Sequence, residues 1–480
     1  MEVAGTVFAV VSFAIFLFFV VYSLATFTLI LLSLVETSLT KIERGDMFVP
    51  PARLRRPGVT LVAPAYNTET LIVANARSLL ASDYEPLEVV IVDDGSEDGT
   101  TDALVRAFEL IELPVGDRFT IATAPIEQIY VSRSDPRLRV VRKRNGGRSD
   151  AVNAGLNVAR QELVAIVDAD TLLEADALRR IGEVFAADPD DVVGVGGTIR
   201  IANGAVVENG EVIRPRVSHS GVEATQTAEY LRGFLGGRIA WSRLNGLLII
   251  SGAFGVFRRD LVLSLGGLSK ETLGEDMELV MRLHHQLRPT KPETHIAYAA
   301  DATAWTEIPS ALGPLRGQRI RWHVGLLDNL RIHRQMIGRR RYGAVGMLAL
   351  PYTLAFEVVG PLLQVAGYAI VITLIAFHQI SWWFAAAFFV VTILTGQLQT
   401  AGALLIEEVG FHRYRNRDLM RLGAWSLLEL LWYRPLTAVW RVWATLLVLV
   451  GRRPGWGTIP RGAAFREEVE ADLVPAPLPR

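Results

Sequence analysis

The chain has 480 residues, which suggests two or three domains, and its formal net charge of −1 argues against a nucleic-acid partner. It contains no cysteine, which excludes disulfides, thiolate nucleophiles and cysteine-bound metals. With its 41 glycines added and its 11 tyrosines left out, the apolar share exceeds the roughly 45–50% of soluble domains. This excess predicts membrane segments.

The first apolar segment lies at the N-terminus. No charged residue occurs from Val3 to Val35, and a spanning helix needs only about 20 residues. The segment opens with Glu2 and is too long for a signal peptide, so we predict a retained transmembrane anchor over residues 1–40. Five basic residues follow it: Lys41, Arg44, Arg53, Arg55 and Arg56. Positive charge at this end places the next part of the chain in the cytoplasm.

Short β-rich runs alternate with helix-sized segments over the following part of the chain. The runs are Val59–Ala63, Leu87–Val92, Leu138–Val141 and Leu163–Val167. Continuous apolar runs of this length predict an α/β fold, a Rossmann-like and mostly parallel sheet with both faces covered. We assign residues 41–340 to one cytoplasmic domain, which lacks the phosphate-loop and dinucleotide fingerprints of ATPases and dehydrogenases.

Acidic residues stand at the ends of two of these runs. The second run leads into Asp93 and Asp94, and the fourth leads into Asp168 and Asp170. If the chain stays extended, Asp168 and Asp170 point to the same side and can share a hard divalent cation with substrate phosphates. Aspartate after a single strand is ordinary turn chemistry. Two acidic strand ends in one sheet favour a ligand site.

Two later segments open predicted helices. Asn145–Asp150 offers backbone N–H groups and Arg148 to an anionic ligand, although a glycine turn with an N-cap residue would read the same. Glu275 and Asp276 begin the second helix. Acidic residues in the first turn interact favourably with the helix dipole, and this alone explains a glutamate at position 275. Asp276 is the better candidate for a general base that accepts a proton from a hydroxyl group.

A basic and aromatic segment, Gln318–Trp322, precedes the second apolar region. Its arginines either face anionic lipid headgroups or bind a diphosphate through Arg321, with Trp322 stacked on a sugar ring. We expect residues 341–480 to form transmembrane and interfacial helices and a loose tail, with a break at Pro361. Glu357 lies inside this region and either lines a polymer path or sits at the interface.

A return helix is predicted from about Trp382 to Ile406, followed by a basic loop. The last apolar stretch, Leu422 to Val450, contains charged residues and is expected to be interfacial or re-entrant.

Six segments together resemble the membrane-integrated, processive family 2 glycosyltransferases, which include cellulose, chitin, hyaluronan and poly-N-acetylglucosamine synthases. The segments are Val62–Asn67, Asp93–Ser96, Asn145–Gly155, Asp168–Asp170, Gly274–Asp276 and Gln318–Trp322. Their order and approximate spacing agree over residues 57–325. Arg148 stands where lysine is usual, and Gly274 replaces the usual threonine.

This resemblance implies a GT-A fold, a UDP-sugar donor and Mg²⁺ or Mn²⁺ as the cofactor. The implied nucleotide-sugar-binding residues are Ala63, Tyr66, Asp93, Asp94, Arg148, Asp168, Gln318 and Arg321. Asp170, with Asp168, would hold the metal. Asp276 would be the catalytic base, and Trp322 and Glu275 would bind the acceptor.

The implied function is that of a multi-pass plasma (inner) membrane enzyme, an inverting and processive hexosyltransferase. It would elongate a β-linked extracellular polysaccharide and move it across the membrane, in contact with membrane lipids. The few predicted spans leave room for a small accessory subunit or a homo-oligomer. Two alternatives stay open: a non-processive, ceramide glucosyltransferase-like enzyme that adds one sugar to a membrane lipid, and a catalytically idle assembly subunit.

Overall fold

The computed structural model describes residues 2–47, 56–116, 119–208, 210–377, 382–453 and 455. Within them the strands are β1 Val59–Ala65, β2 Leu87–Asp93, β3 Leu110–Leu113, β4 Ile126–Ser132, β5 Leu138–Lys143, β6 Leu163–Val167, β7 Thr171–Leu173, β8 Val192–Ile201, β9 Val206–Glu208, β10 Glu211–Arg214, β11 Phe254–Arg258 and β12 His295–Thr306. The helices are α1 Glu2–Met47, α2 Ile72–Leu80, α3 Thr100–Phe108, α4 Arg148–Val158, α5 Ala177–Ala187, α6 Gly221–Gly233, α7 Ile239–Arg243, α8 Arg259–Ser264, α9 Glu275–Leu287, α10 Leu312–Ile332, α11 Leu350–Tyr352, α12 Gly360–Ala376, α13 Trp382–Gly410, α14 Asn416–Glu429 and α15 Tyr433–Leu449.

Ten of the described strands form one sheet in the order β3-β4-β5-β2-β1-β6-β11-β8-β12-β7. The four runs predicted from the sequence are its neighbouring strands β5, β2, β1 and β6, and the pairings among these four strands are parallel. Strands β4, β11 and β7 run against the rest. The predicted mostly parallel α/β sheet is therefore confirmed, with antiparallel strands added within and at the sides.

The continuous apolar runs are explained by burial on both faces of the sheet. Leu61 and Ile91 pack into the core cluster on one face, together with α2, α3 and α5. The alternate residues Val62 and Val92 pack into a second cluster with α4 and α9. Because neither face meets water, most positions in these strands are apolar, and the buried Glu88 and Arg139 pair with each other at 3.2 Å.

Two described helical stretches are long and apolar enough to cross a membrane: Ser12–Lys41 and Val345–Ala376. The first lies within α1, where the anchor was predicted. The second is helical throughout, with π-helical turns at Val345–Ala349 and Thr353–Val359. The expected break at Pro361 is absent from this described stretch. The proline lies in the first turn of α12, directly after the π-helical turn, where the change of hydrogen-bond register accommodates its missing N–H.

Helix α13 contains the predicted return helix. The last apolar stretch divides into α14 and α15 at residues 430–432. Helix α15 packs against α10 and α12, while α14 packs against α6. The tail from residue 456 lies outside the described residues. The domain limits at residues 40 and 340 stay predictions.

Candidate active site

A cavity of 2310 Å³ opens where the carboxyl ends of the central strands meet α6, α10 and α15. Eight residues predicted for the site line it: Arg148, Asp168, Asp170, Glu275, Asp276, Gln318, Arg321 and Trp322. They come from four separate segments. Parallel strands end at one edge of a sheet, which brings Arg148, after β5, close to Asp168 and Asp170, after β6. Helices α9 and α10 supply the other two segments.

Three of the four segments are positioned by the start or end of an element. Arg148 is the first residue of α4, and Asp168 and Asp170 follow β6 directly. Glu275 and Asp276 open α9, and Gln318–Trp322 lies within α10. Short polar turns at these ends leave the side chains facing the cavity rather than the core.

Arg148 connects the acidic groups of the site. Its Nε donates to Oδ1 of Asp168 at 2.9 Å, and its Nη1 donates to Oε1 of Glu275 at 2.6 Å. Its Nη2 donates to the carbonyl oxygen of Gly252 at 2.7 Å. Burial lowers the pKa of Arg148, but Asp168 and Glu275 more than offset this and raise it. The three separate donors explain why arginine differs here from the usual lysine, which offers no planar fork.

Asp276 is held by the backbone at the wall of the cavity. Its Oδ2 accepts the N–H of Gly252 at 3.0 Å, and its Oδ1 accepts the N–H of Met277 at 2.8 Å. Its neighbour Glu275 is buried, and burial raises the pKa of that carboxyl while Arg148 lowers it. The two adjacent acids therefore have different surroundings, and Asp276 has no arginine bound to it in the described residues.

A close backbone approach brings α9 and α10 together at this point. A Cβ atom added to Gly325 would lie 2.7 Å from the backbone nitrogen of Gly274. Asn329 Nδ2 donates to the Gly274 carbonyl oxygen at 2.8 Å beside this contact. The glycine allows the start of α9, with Asp276, to lie against the helix that carries Trp322.

Four predicted site residues lie beside the cavity rather than on its described wall: Ala63, Tyr66, Asp93 and Asp94. Ala63 is buried in β1, and Tyr66 is 46% exposed just beyond it. Asp93 accepts hydrogen bonds from the Ser96 N–H and the Thr101 hydroxyl. It caps the turn that leads into α3.

Asp94 is an internal anion. It accepts the N–H groups of Gly146 and Gly147 at 3.0 and 2.8 Å, so it occupies donors that the sequence offered to a ligand. The buried Lys143 bonds to it at 2.5 Å and to Asp150 at 2.7 Å. Burial raises the pKa of Asp94, while Lys143 acts in the opposite direction. Asp94 thus fixes the glycine turn before α4.

Sequence reasoning missed several polar residues on the cavity wall. Glu229 of α6, Arg319 of α10 and Tyr433 of α15 form a hydrogen-bonded cluster there. Arg238 also lines the cavity, and its Nη1 is buried without a hydrogen-bond partner among the described residues. In the sequence these residues are marked only by the mixture of charged and aromatic side chains around them, a pattern that also suits an interfacial helix.

The oxygen donors of the site fit a hard divalent cation. Within the described ranges no group of three or more His, Cys, Asp or Glu side chains could hold a metal ion. Asp168 and Asp170 supply two carboxylates, and Mg²⁺ in proteins is commonly bound by one or two carboxylates with water and substrate phosphates completing its shell. The site therefore suits a metal that arrives with a diphosphate.

Helix α9, which begins with Glu275, carries a histidine whose titration we expect to affect stability. Burial lowers the pKa of His284 from 6.5 to about 4, with Nε2 2.9 Å from the Leu247 carbonyl oxygen. Between these values the unfolded chain binds the extra proton, so stability falls as the pH falls, by at most about 1.4 kcal/mol per unit. His284→Gln should remove this contribution from the pH dependence of chemical denaturation. The exposed His219→Gln is the control, and an unchanged slope in His284→Gln would contradict the assignment.

The sheet order, with acidic residues after β6 and a cavity at the strand ends, defines a GT-A-type fold. A solved mannosyltransferase from Pyrobaculum calidifontis, in complex with GDP-Man and Mn²⁺, has the same fold at a TM-score of 0.54 and 21% identity. The likeness covers 88% of this chain and 99% of that one.

The sequence comparisons agree with the fold. Residues 60–265 match the model for glycosyl transferase family 2, and residues 163–398 match that for glycosyl transferase family group 2. Poly-beta-1,6-N-acetyl-D-glucosamine synthases of Staphylococcus aureus (strain COL) and Staphylococcus epidermidis are 28% and 24% identical over 270 and 273 residues. Each match covers 56% of this chain and 54% of the relative, so the chain spans about half the length of the curated relatives it matches. Together the two family models and these relatives support a family 2 glycosyltransferase.

Proposed function

We propose that the protein is an inverting, processive glycosyltransferase that extends a β-linked polysaccharide from a UDP-sugar and passes it across the plasma membrane. One observation carries the proposal: the cavity lined by Asp170 and Asp276 extends along the predicted membrane helices. Its wall also includes Tyr22 of α1, Tyr368 of α12, and Glu357, which lies just before α12. The proposed site of sugar transfer and the proposed polymer path along the membrane helices therefore lie in one continuous cavity. The polymer named for the staphylococcal relatives supports an N-acetylhexosamine product.

In the proposed reaction the acceptor hydroxyl attacks the anomeric carbon of the donor. Asp276 takes the hydroxyl proton, the new carbon–oxygen bond forms, and the bond to the diphosphate breaks on the opposite face of the sugar. Arg321 and Arg148 bind the departing UDP and stabilise its charge. A bound Mg²⁺ or Mn²⁺, held by Asp170 with Asp168, would neutralise the diphosphate further.

The remaining predicted residues bind the two substrates. Ala63, Tyr66, Asp93, Asp94 and Gln318 would form the nucleotide side, with Asp94 acting through the glycine turn that it fixes. Trp322 and Glu275 would form the acceptor side. Trp322 is 45% exposed towards the cavity, which suits a ring that stacks on a sugar.

The same cavity also favours a second candidate, the transfer of one sugar to a membrane lipid. Its outer part is lined by Phe16 and Phe19 of α1 and by Ile372 and Ile375 of α12. An apolar wall of this kind could contact the acyl chain of a lipid acceptor as well as a growing polymer. The part of the chain that the structure describes holds two candidate spans, and in this proposal a homo-oligomer or a small accessory subunit helps to form the polymer path.

The first test is a donor assay on the full chain in nanodiscs. UDP-N-acetylglucosamine, UDP-glucose and GDP-mannose are offered singly with Mg²⁺ or Mn²⁺, while nucleotide release and product length are measured. We expect a long polymer from a UDP-sugar, and single-sugar lipid products would favour the second candidate. Release of nucleotide from none of these donors would contradict the proposed function.

Metal removal should abolish the transfer. With EDTA in place of Mg²⁺ or Mn²⁺ we expect at least a roughly hundredfold loss of nucleotide release, because the leaving diphosphate loses its counter-charge. Added Mn²⁺ should restore the rate. A full rate in EDTA would show that the two carboxylates act without a metal.

A further inference from the structure

The cluster beside Trp322 has no part in the reaction as described. Oε2 of Glu229 accepts a hydrogen bond from Nη2 of Arg319 at 2.6 Å and another from the Tyr433 hydroxyl at 2.5 Å. Nη2 of Arg319 also donates to the Tyr433 oxygen at 3.0 Å. All three side chains line the cavity, and they join α6, α10 and α15 at one point.

Arg319 in turn lies against the predicted acceptor ring. Its guanidinium carbon stands 4.4 Å from the centroid of the Trp322 ring, one turn further along α10. Arg319 is 5% exposed and Trp322 is 45% exposed, so the guanidinium backs a ring whose remaining surface is open. A cation held over an indole face restricts the ring's rotation and strengthens with desolvation.

The orientation of Arg319 depends on Glu229. Nε of Arg319 is buried without a hydrogen-bond partner in the part of the chain that the structure describes. Glu229 is the only carboxylate within ion-pair distance of it there, and the Tyr433 hydroxyl holds the same oxygen. The arginine cannot find another acid if Glu229 loses its charge.

From this geometry we infer that Glu229 is a positioning residue for the acceptor: it holds Arg319 against Trp322 and so fixes the platform on which the terminal sugar stacks. The inference rests on the proposed function, because it takes Trp322 as the acceptor ring. It adds a residue from α6, outside the motifs of the resemblance. Through Tyr433 it also ties the acceptor platform to α15.

The test measures acceptor affinity in Glu229→Gln, with UDP-N-acetylglucosamine as the donor and a β-1,6-linked N-acetylglucosamine tetramer as the acceptor. We expect the KM for the tetramer to rise about tenfold, because the Trp322 ring is no longer held in place by Arg319. The UDP affinity measured by calorimetry should stay unchanged. Tyr433→Phe should move the acceptor KM in the same direction by a smaller factor. The intact UDP affinity shows that the variants are folded.

The matched control is Glu223→Gln, a buried acid on the same helix. Glu223 accepts hydrogen bonds from Asn203 and Ser310 and lies off the cavity wall. We expect this substitution to lower thermal stability and to leave the acceptor KM unchanged. If Glu229→Gln acted only by loosening the packing of α6, Glu223→Gln would raise the acceptor KM as well.

A double-mutant cycle separates positioning from packing. In a Trp322→Ala background, Glu229→Gln should not raise the acceptor KM further, because the ring it positions is absent. The inference would be overturned if the two substitutions raised the acceptor KM independently, or if Glu229→Gln alone left that KM unchanged, in an enzyme whose wild type transfers sugar. A wild-type enzyme that transfers no sugar to any acceptor would instead overturn the proposed function.

Discussion

Asp276→Asn should lower the turnover of sugar transfer by about 10²–10⁴-fold while leaving UDP binding unchanged. The amide keeps the shape of the side chain and can still accept the N–H of Gly252, but it cannot take a proton from the acceptor hydroxyl. Nucleotide release under saturating donor and acceptor gives the turnover, and calorimetry gives the UDP affinity.

The control for this variant is Asp260→Asn, an exposed acid in the first turn of α8. It shares the helix-start position of Asp276 without lining the cavity, so its turnover should match the wild type. Asp276→Asn with turnover within about threefold of the wild type would exclude a general base at this position.

The second large effect concerns stability. Arg200 of β8 pairs with Glu407 of α13 at 2.7 Å, and both side chains are almost fully buried. Arg200→Met should lower the free energy of unfolding by about 3–5 kcal/mol, because Glu407 then stays buried without its partner. Chemical denaturation of the full chain in detergent measures the change.

The double variant Arg200→Met/Glu407→Leu should recover most of that loss. Apolar side chains of similar volume replace a buried ion pair at little cost, and the rings of Trp305, Phe411 and Tyr414 already surround Arg200. Removing the exposed pair of Arg144 and Glu127 should change stability by less than about 1 kcal/mol. Equal losses in the single and double variants would show that packing, not charge, holds this contact.

The parts of the fold that the sequence predicted share a local pattern. The run Leu87–Val92 is apolar except for Glu88 and leads into an acid, which identifies a buried parallel strand and its functional end together. The same reasoning applies to Leu163–Val167 and Asp168. Arg148, Asp168 and Asp170 reach the cavity because they follow such strands, whereas the other five predicted residues on its wall lie on α9 and α10.

The parts that the sequence could not predict depend on contacts between distant segments. Glu229 and Arg319 are separated by 90 positions, and Arg200 and Glu407 by 207. The spacing of apolar residues along the sequence cannot predict such pairs, because each partner lies on an element whose orientation is set by tertiary packing. Asp94 shows the same limit, since its place at a strand end was predicted but its bonds to Gly146 and Gly147 were not.

The contact between Gly274 and Gly325 sets a rule for anyone who redesigns this enzyme. Even an alanine at position 325 would press its methyl group against backbone atoms that cannot turn aside. Every substitution there would separate the start of α9 from α10, and with it the distance between Asp276 and Trp322. A mutant library aimed at a new acceptor should keep position 325 fixed and place its diversity on the walls around it.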